Sequence, residues 1–97
     1  MRIELQKFGD ILISRPAGRE AYLAMSAYVT KDMQKGGEII IDFAGVKVLT
    51  PSWADEVITK LGQEYLLKSE NDTNPTVQST LKTLAEYSQV EIQHSLV

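Results

Sequence analysis

Hydrophobic and polar residues alternate at the start of the chain. From Arg2 to Phe8, Ile3 and Leu5 share one face with Lys7, while Arg2, Glu4, Gln6 and Phe8 take the other. This two-residue period predicts a half-buried strand. Gly9-Asp10 interrupts it, and Ile11-Leu12-Ile13 predicts a second strand, joined to the first as an antiparallel hairpin. The period then changes. Ser14-Arg15-Pro16-Ala17-Gly18 opens a helix, with the proline in the first turn, where its missing N–H costs nothing. Ala21, Tyr22, Met25, Tyr28, Val29 and Met33 fall on one side of the helical wheel, and Arg19, Leu23, Ser26 and Thr30 on the other. The helix is expected to run to Gly36-Gly37, with Lys31 and Lys35 near its C-terminal dipole.

Glu38-Ile39-Ile40-Ile41-Asp42-Phe43 is the strongest strand signal in the chain. An unbroken β-branched run predicts a central strand covered on both faces, with Ile40 fully buried. Ala44 to Leu49 reads as a connecting loop. A second helix starts at Thr50-Pro51-Ser52-Trp53-Ala54-Asp55-Glu56, and two cappings compete. Either Thr50 caps with Pro51 at the first position, or Ser52 caps with Asp55 completing a box. Ala54, Val57, Ile58 and Leu61 form its buried stripe, and Gly62 is expected to end it. A strand follows over 65–70. Asn74-Pro75 then opens a third helix to about Ser88, with Val77, Leu81 and Leu84 inward, and Val90-Glu91-Ile92 forms a last strand. The order β-β-α-β-α-β-α-β predicts one α/β domain over residues 1–97. Its sheet is mixed and mostly parallel, of four to five strands, with three helices.

Composition removes several chemistries. The 97 residues hold no cysteine, so there is no disulfide scaffold, cysteine nucleophile or thiolate zinc site. A single histidine, His94, leaves no multi-histidine metal site, and it is expected on an edge strand rather than in a catalytic role. The net charge is −3, with no basic stripe to favour nucleic acid or an anionic membrane. The N-terminus lacks a signal-peptide apolar run, and no segment is long enough to span a bilayer, so a cytoplasmic protein is expected. No glycine-rich phosphate loop is present, and no cofactor is expected. Ser14, Ser52 and Ser79 have no evident base to activate them, so nothing supports an enzyme.

The informative residues gather around the second helix start. Asp42 ends the central strand, where sites collect in open α/β sheets. It either meets a ligand or ties down the Thr50–Ser52 turn. Ser52 is either a cap or a phosphorylation switch, and Trp53 is either core or an exposed anchor. Asp55 and Glu56 are adjacent on a helix and do not converge on one substrate atom. One of Arg15 and Arg19 is expected to pair with Asp42, Asp55 or Glu56.

Several of these segments resemble one family. Ser14-Arg15 with Arg19-Glu20-Ala21, Ile41-Asp42-Phe43-Ala44-Gly45-Val46, Ser52-Trp53-Ala54-Asp55-Glu56 and Asn74-Pro75 look like the STAS-like domains of unknown function of prokaryotes and phages. Trp53 stands where that pattern has Phe. The family is similar in turn to the STAS domains of anti-sigma-factor antagonists, whose helix-start serine is phosphorylated by a kinase with a histidine-kinase-like ATPase fold. Ser52 falls at that position, although Thr50-Pro51-Ser52-Trp53 replaces the usual Asp-Ser-Ser-Gly. The resemblance implies a non-enzymatic regulatory module. It would bind a protein partner, such as an ATPase of that fold, through residues 50–56, with Ser52 or Thr50 as switch and Arg15, Arg19, Asp42, Trp53, Asp55 and Glu56 as surface. The alternative is a small-molecule or nucleotide sensor using a cleft near Asp42 and Thr50.

Overall fold

The computed structural model describes residues 1–94, without the side chain of His94. Strands β1 (Arg2–Glu4), β3 (Glu38–Asp42), β5 (Leu66–Glu70) and β6 (Ile92–His94) form a four-stranded sheet in the order β1-β3-β5-β6. Every neighbouring pair in it is parallel. Strands β2 (Ile11–Leu12) and β4 (Val48–Leu49) form a separate parallel pair. Helix α1 spans Arg15–Tyr28 and α3 spans Pro75–Tyr87. Helix α2 covers residues 51–64. It begins as Pro51–Ala54, makes a π-helical turn over Asp55–Thr59, and returns to α geometry at Lys60–Glu64. The fold is therefore of the expected α/β class, with three helices and a four-stranded sheet whose pairs are all parallel.

The expected hairpin is not formed. Leu5 to Phe8 curl into a 3-10 turn, so β1 stops at Glu4 and cannot fold back flush against Ile11–Leu12. The alternation was faulty at Lys7: Leu5 is fully buried and Lys7 is exposed, so only the first half of the segment has a consistent inner face. Released from the sheet, β2 pairs with β4, turning part of the expected 44–49 loop into a strand.

Helix α1 also ends earlier than its apolar wheel implies. The N–H groups of Val29 and Thr30 both donate to the Met25 carbonyl, and the Thr30 hydroxyl turns back towards the same oxygen. Those bonds close the helix at Tyr28 and bury Thr30, while Tyr28 swings out to 87% exposure. Gly36 and Gly37 instead tie a following turn to α2 and β5: Gly36 N–H donates to Glu64, and Gly37 accepts from Leu66 N–H. Gly62 lies inside α2, close against Val90 and Leu67, and does not end the helix.

The sheet buries one face. Ile39, Ile41 and Phe43 of the central strand, with Ile3 and Leu67 beside it, pack into the core with Met25, Val57, Ile58, Val77 and Leu84. The other face stays open. In register, Arg2, Ile40, Lys68 and Gln93 form one row across it, and Glu4, Asp42 and Glu70 the next. Ile40 therefore lies on the open face and is only half-buried, against the expectation of full burial. An unbroken β-branched run does not report which of its alternate residues a second layer covers. Among the described residues, no helix is long and apolar enough to cross a membrane.

Candidate functional site

The start of α2 is built from both sides. Thr50 occupies the cap position with extended backbone and Pro51 follows at the first helical position. The Thr50 hydroxyl does not cap, however. It donates to the Ile13 carbonyl at 2.8 Å, fastening the helix start to the end of β2. Ser52 does not cap either: its side chain is exposed and makes no hydrogen bond among the described residues. The helix owes its start to the proline, with its fixed φ, and to the Ala54 N–H that donates to the Thr50 carbonyl at 3.0 Å.

Next to this free hydroxyl, α1 crosses α2 at Gly18. A β-carbon there would come within 2.7 Å of the Trp53 carbonyl and 3.2 Å of the Glu56 Cβ, so only glycine permits the approach. The close crossing brings Arg15 and Arg19, on either side of Gly18, over Asp55 and Glu56. Arg15 Nη1 donates to Asp55 Oδ2 at 3.1 Å and to Glu56 Oε1 at 3.2 Å. Arg19 Nη2 stands 3.5 Å from the same Glu56 oxygen, and Lys60 Nζ donates to Glu56 Oε2 at 2.6 Å. Lys60 also lies 5.2 Å from the centre of the Tyr22 ring. The Ser88 hydroxyl donates to Asp55 Oδ1 at 3.1 Å, linking the end of α3 to the cluster. Pairing of the arginines with Asp55 and Glu56 is thus found, whereas neither reaches Asp42.

The charges follow from these contacts. Hydrogen bonds from Lys60 and then Arg15 hold the Glu56 carboxyl below its ordinary range. At Asp55 burial opposes ionisation, yet Thr59, Arg15 and Ser88 together keep the carboxyl below its usual value. Thr59 Oγ1 is buried beside it and has no full hydrogen bond. The π-helical turn places Glu56, Val57 and Ile58 consecutively in the interior, which a regular helical stripe does not do. Nothing in the α2 sequence signalled that turn.

Two expected surface residues belong elsewhere. Trp53 is 1% exposed and packs in the core, so it is not an exposed anchor. Its ring lies on the α1-facing side of α2, where the apolar surface is shared with Phe8 and Ala21. Glu56 is buried except through its basic partners, so it offers a partner little beyond the cluster itself.

Asp42 has a different setting. It accepts from Arg2 Nη2 at 3.0 Å, from Asn71 Nδ2 at 2.8 Å and from the Ala44 N–H at 2.9 Å. Arg2 also pairs with Glu70. Burial raises the Asp42 pKa, but the Asn71, Ala44 and Arg2 contacts outweigh it and hold the carboxyl below the usual range. The carboxylate closes its own loop and clamps β3 to the turn after β5; it does not tie down Thr50–Ser52. The shallow depression beside it is lined by Glu4, Gln6, Lys7, Asp42 and Ala44. Thr50 is not among those residues.

Sequence reasoning passed over a further polar pair. Ser69 Oγ donates to Asp72 Oδ2 at 2.7 Å, both residues buried, in a crevice of about 320 Å³ walled by Gln78, Lys82, Val90 and Ile92. His94 is the register partner of Ser69, and the expectation for its side chain lies outside the described residues. Among the described residues, no group of acidic or histidine side chains is arranged to hold a metal ion.

Comparison with known proteins agrees with this architecture. A family described as a STAS-like domain of unknown function matches residues 27–76, from the end of α1 through β3, β4, α2 and β5 to the cap of α3. No curated protein and no solved structure matches the chain. The matched segment holds the central strand, the helix start at 50–56 and the Asn74-Pro75 cap in their expected places, and the chain belongs to the family of STAS-like domains of unknown function.

Proposed function

We propose that this domain is a non-enzymatic regulatory module that binds a protein partner through the start of α2, residues 50–56, and the adjoining end of α1. The observation that carries this reading is the Ser52 hydroxyl, which is exposed and, among the described residues, makes no hydrogen bond, at a helix start whose other side chains are engaged. Thr50 is fastened to β2, Trp53 is buried, and Asp55 and Glu56 are neutralised by Arg15, Arg19 and Lys60. A hydroxyl with no structural duty is free for a partner to contact or modify. The resemblance to anti-sigma-factor antagonists favours, as partner, an ATPase of the histidine-kinase-like fold and, as control, phosphorylation of Ser52.

The test begins with capture of the partner from the native cell on the wild-type domain. The purified partner is then titrated against wild type, Ser52→Ala and Ser52→Asp. The expected result is equal affinity for wild type and Ser52→Ala, and at least tenfold weaker binding to Ser52→Asp at unchanged melting temperature. Equal binding of all three would remove the switch and leave a constitutive module. A partner that tolerates disruptive substitutions throughout 50–56 would place the binding surface elsewhere.

A further inference from the structure

Arg15 is only partly used by its carboxylates. Both of its hydrogen bonds, to Asp55 and to Glu56, come from the single atom Nη1. Nη2 and Nε make no hydrogen bond among the described residues, and the side chain is 46% exposed. A guanidinium carries five N–H donors in a rigid fork suited to phosphate, so most of this one's capacity is unspent.

Ser52 lies one turn before the two carboxylates that Arg15 bridges. On α2 it is three residues before Asp55 and four before Glu56, which makes both its neighbours on the same helix face. Helical side chains lean towards the N-terminus and cover the preceding turn. The two carboxylates, and the Arg15 head that bridges them, therefore lie over the turn that carries Ser52. A hydroxyl with no hydrogen bond among the described residues, an arginine with free donors and an exposed face thus fall on one stretch of α2.

We infer that a phosphoryl group on Ser52 is received by Arg15 of the same chain, which turns from a clamp on α2 into a phosphate ligand. The inference rests on the phosphorylation reading of Ser52 given above and adds its receiver. In the transfer, Ser52 Oγ forms a bond to the γ-phosphorus of a nucleoside triphosphate bound by the kinase. The bond from that phosphorus to the bridging oxygen breaks, the diphosphate leaves, and the hydroxyl proton passes to a base of the kinase. The product dianion accepts from Nη2 and Nε of Arg15, which are free to donate without first releasing Asp55. Asp55 and Glu56 face the same site and oppose the new charge, while Arg19 and Lys60 offset them. Charge-assisted, two-pronged pairing with the phosphate draws Arg15 towards the first turn and loosens its hold on Glu56. The surface offered to a partner then differs in shape as well as in charge.

The test uses the full chain with phosphoserine incorporated at position 52, alone and with Arg15→Ala, Arg15→Gln or Arg19→Ala. Phosphorus NMR reads the titration midpoint of the phosphate, ordinarily near pH 6. Removal of Arg15 is expected to raise that midpoint by about one pH unit, a tenfold change in proton affinity, and Arg19→Ala by clearly less. The Arg15 Nε–H resonance is expected to shift when Ser52 is phosphorylated and to exchange more slowly with water. Should Arg15→Ala fail to fold, Arg15→Gln and the wild-type Nε–H signal carry the test. An unchanged midpoint in a folded Arg15 variant, or an Nε–H signal indifferent to the phosphate, would overturn the inference. Neither measurement involves a partner, so failure of the partner-binding reading leaves this result standing, and the reverse also holds.

Discussion

At the open face of the sheet, Arg2 is held between Asp42 and Glu70; between α1 and α2, Arg15 is held between Asp55 and Glu56. Each sets one arginine between an aspartate and a glutamate, and they differ in what stands beside them. Asp42 is saturated. Arg2, Asn71 and the Ala44 N–H take its lone pairs, and the result is a closed loop and a clamped pair of strands. The arginines do not separate the clusters: Arg2 meets both of its carboxylates through Nη2 alone, as Arg15 does through Nη1. What separates them is Ser52, whose exposed hydroxyl beside the second cluster makes no hydrogen bond among the described residues. Carboxylates held by neighbouring donors serve the fold, whereas a hydroxyl without a partner at an exposed face is available to something outside it. Position at the carboxyl end of a central strand, which favours Asp42 as a ligand site, is the weaker guide here.

The largest effect that separates structure from site is expected at Trp53. Truncation to alanine removes a fully buried aromatic and should cost about 3–5 kcal/mol, measured by urea unfolding. Any loss of partner binding should then track the fraction unfolded. A stable Trp53→Ala domain that fails to bind would return Trp53 to the interface.

Gly18→Ala comes next. The added methyl meets the Trp53 backbone, which cannot rotate away as a side chain could, so α1 and α2 must separate. A cost of about 1–3 kcal/mol is expected, together with loss of the Arg15 contacts to Asp55 and Glu56. A neutral Gly18→Ala would mean that the helix crossing does not set the arginine positions.

Acid sharpens the comparison further. Asp42, Asp55 and Glu56 all have carboxyls held below their ordinary values in the fold. Each therefore binds protons less readily folded than unfolded. The stability it contributes is complete above its unfolded pKa and is lost as pH falls through the folded one. Melting temperature should be flat between about pH 6 and pH 8 and should drop progressively below about pH 4.5. Asp42→Asn is expected to remove the part of that drop that belongs to the sheet face. Arg15→Gln is expected to remove part of the drop from the helix crossing. The two reductions should add, because the clusters share no residue.

How far the chain announces this arrangement depends on the segment. Asn74-Pro75 foretells α3 to within a residue, because the Asn74 side chain accepts from the Thr76 and Val77 N–H groups as that motif requires. The stripe Ala54, Val57, Ile58 and Leu61 is buried as its spacing implies. The failures have physical causes. Leu5 to Phe8 has too little extended character to complete a hairpin, and its 3-10 turn is fixed by burial of Leu5 in the assembled core. The end of α1 is decided by two N–H groups and a hydroxyl sharing the Met25 carbonyl, which no wheel records. Of the site, the Arg15 pairing was legible from charge types and the helix start. The unbonded state of Ser52 was not, because it depends on where Thr50 turns its hydroxyl.

The smallest effect is expected at Ser52 itself. With an exposed side chain and no hydrogen bond among the described residues, Ser52→Ala should be tolerated within about 0.5 kcal/mol. A loss near 1 kcal/mol, the usual value of a cap, would show that the hydroxyl has a structural partner.

The central claim, that the partner meets the cluster beside Ser52 and not the one at Asp42, is tested most directly by NMR with the purified partner titrated into the isotope-labelled domain. Backbone amides of Ser52 to Glu56 and of Arg15 to Arg19, apart from Pro16, should shift or broaden, while those of Ile40, Lys68 and Gln93 on the open sheet face stay in place. Perturbation centred on the sheet face, with Ser52 and Arg15 unmoved, would contradict the account.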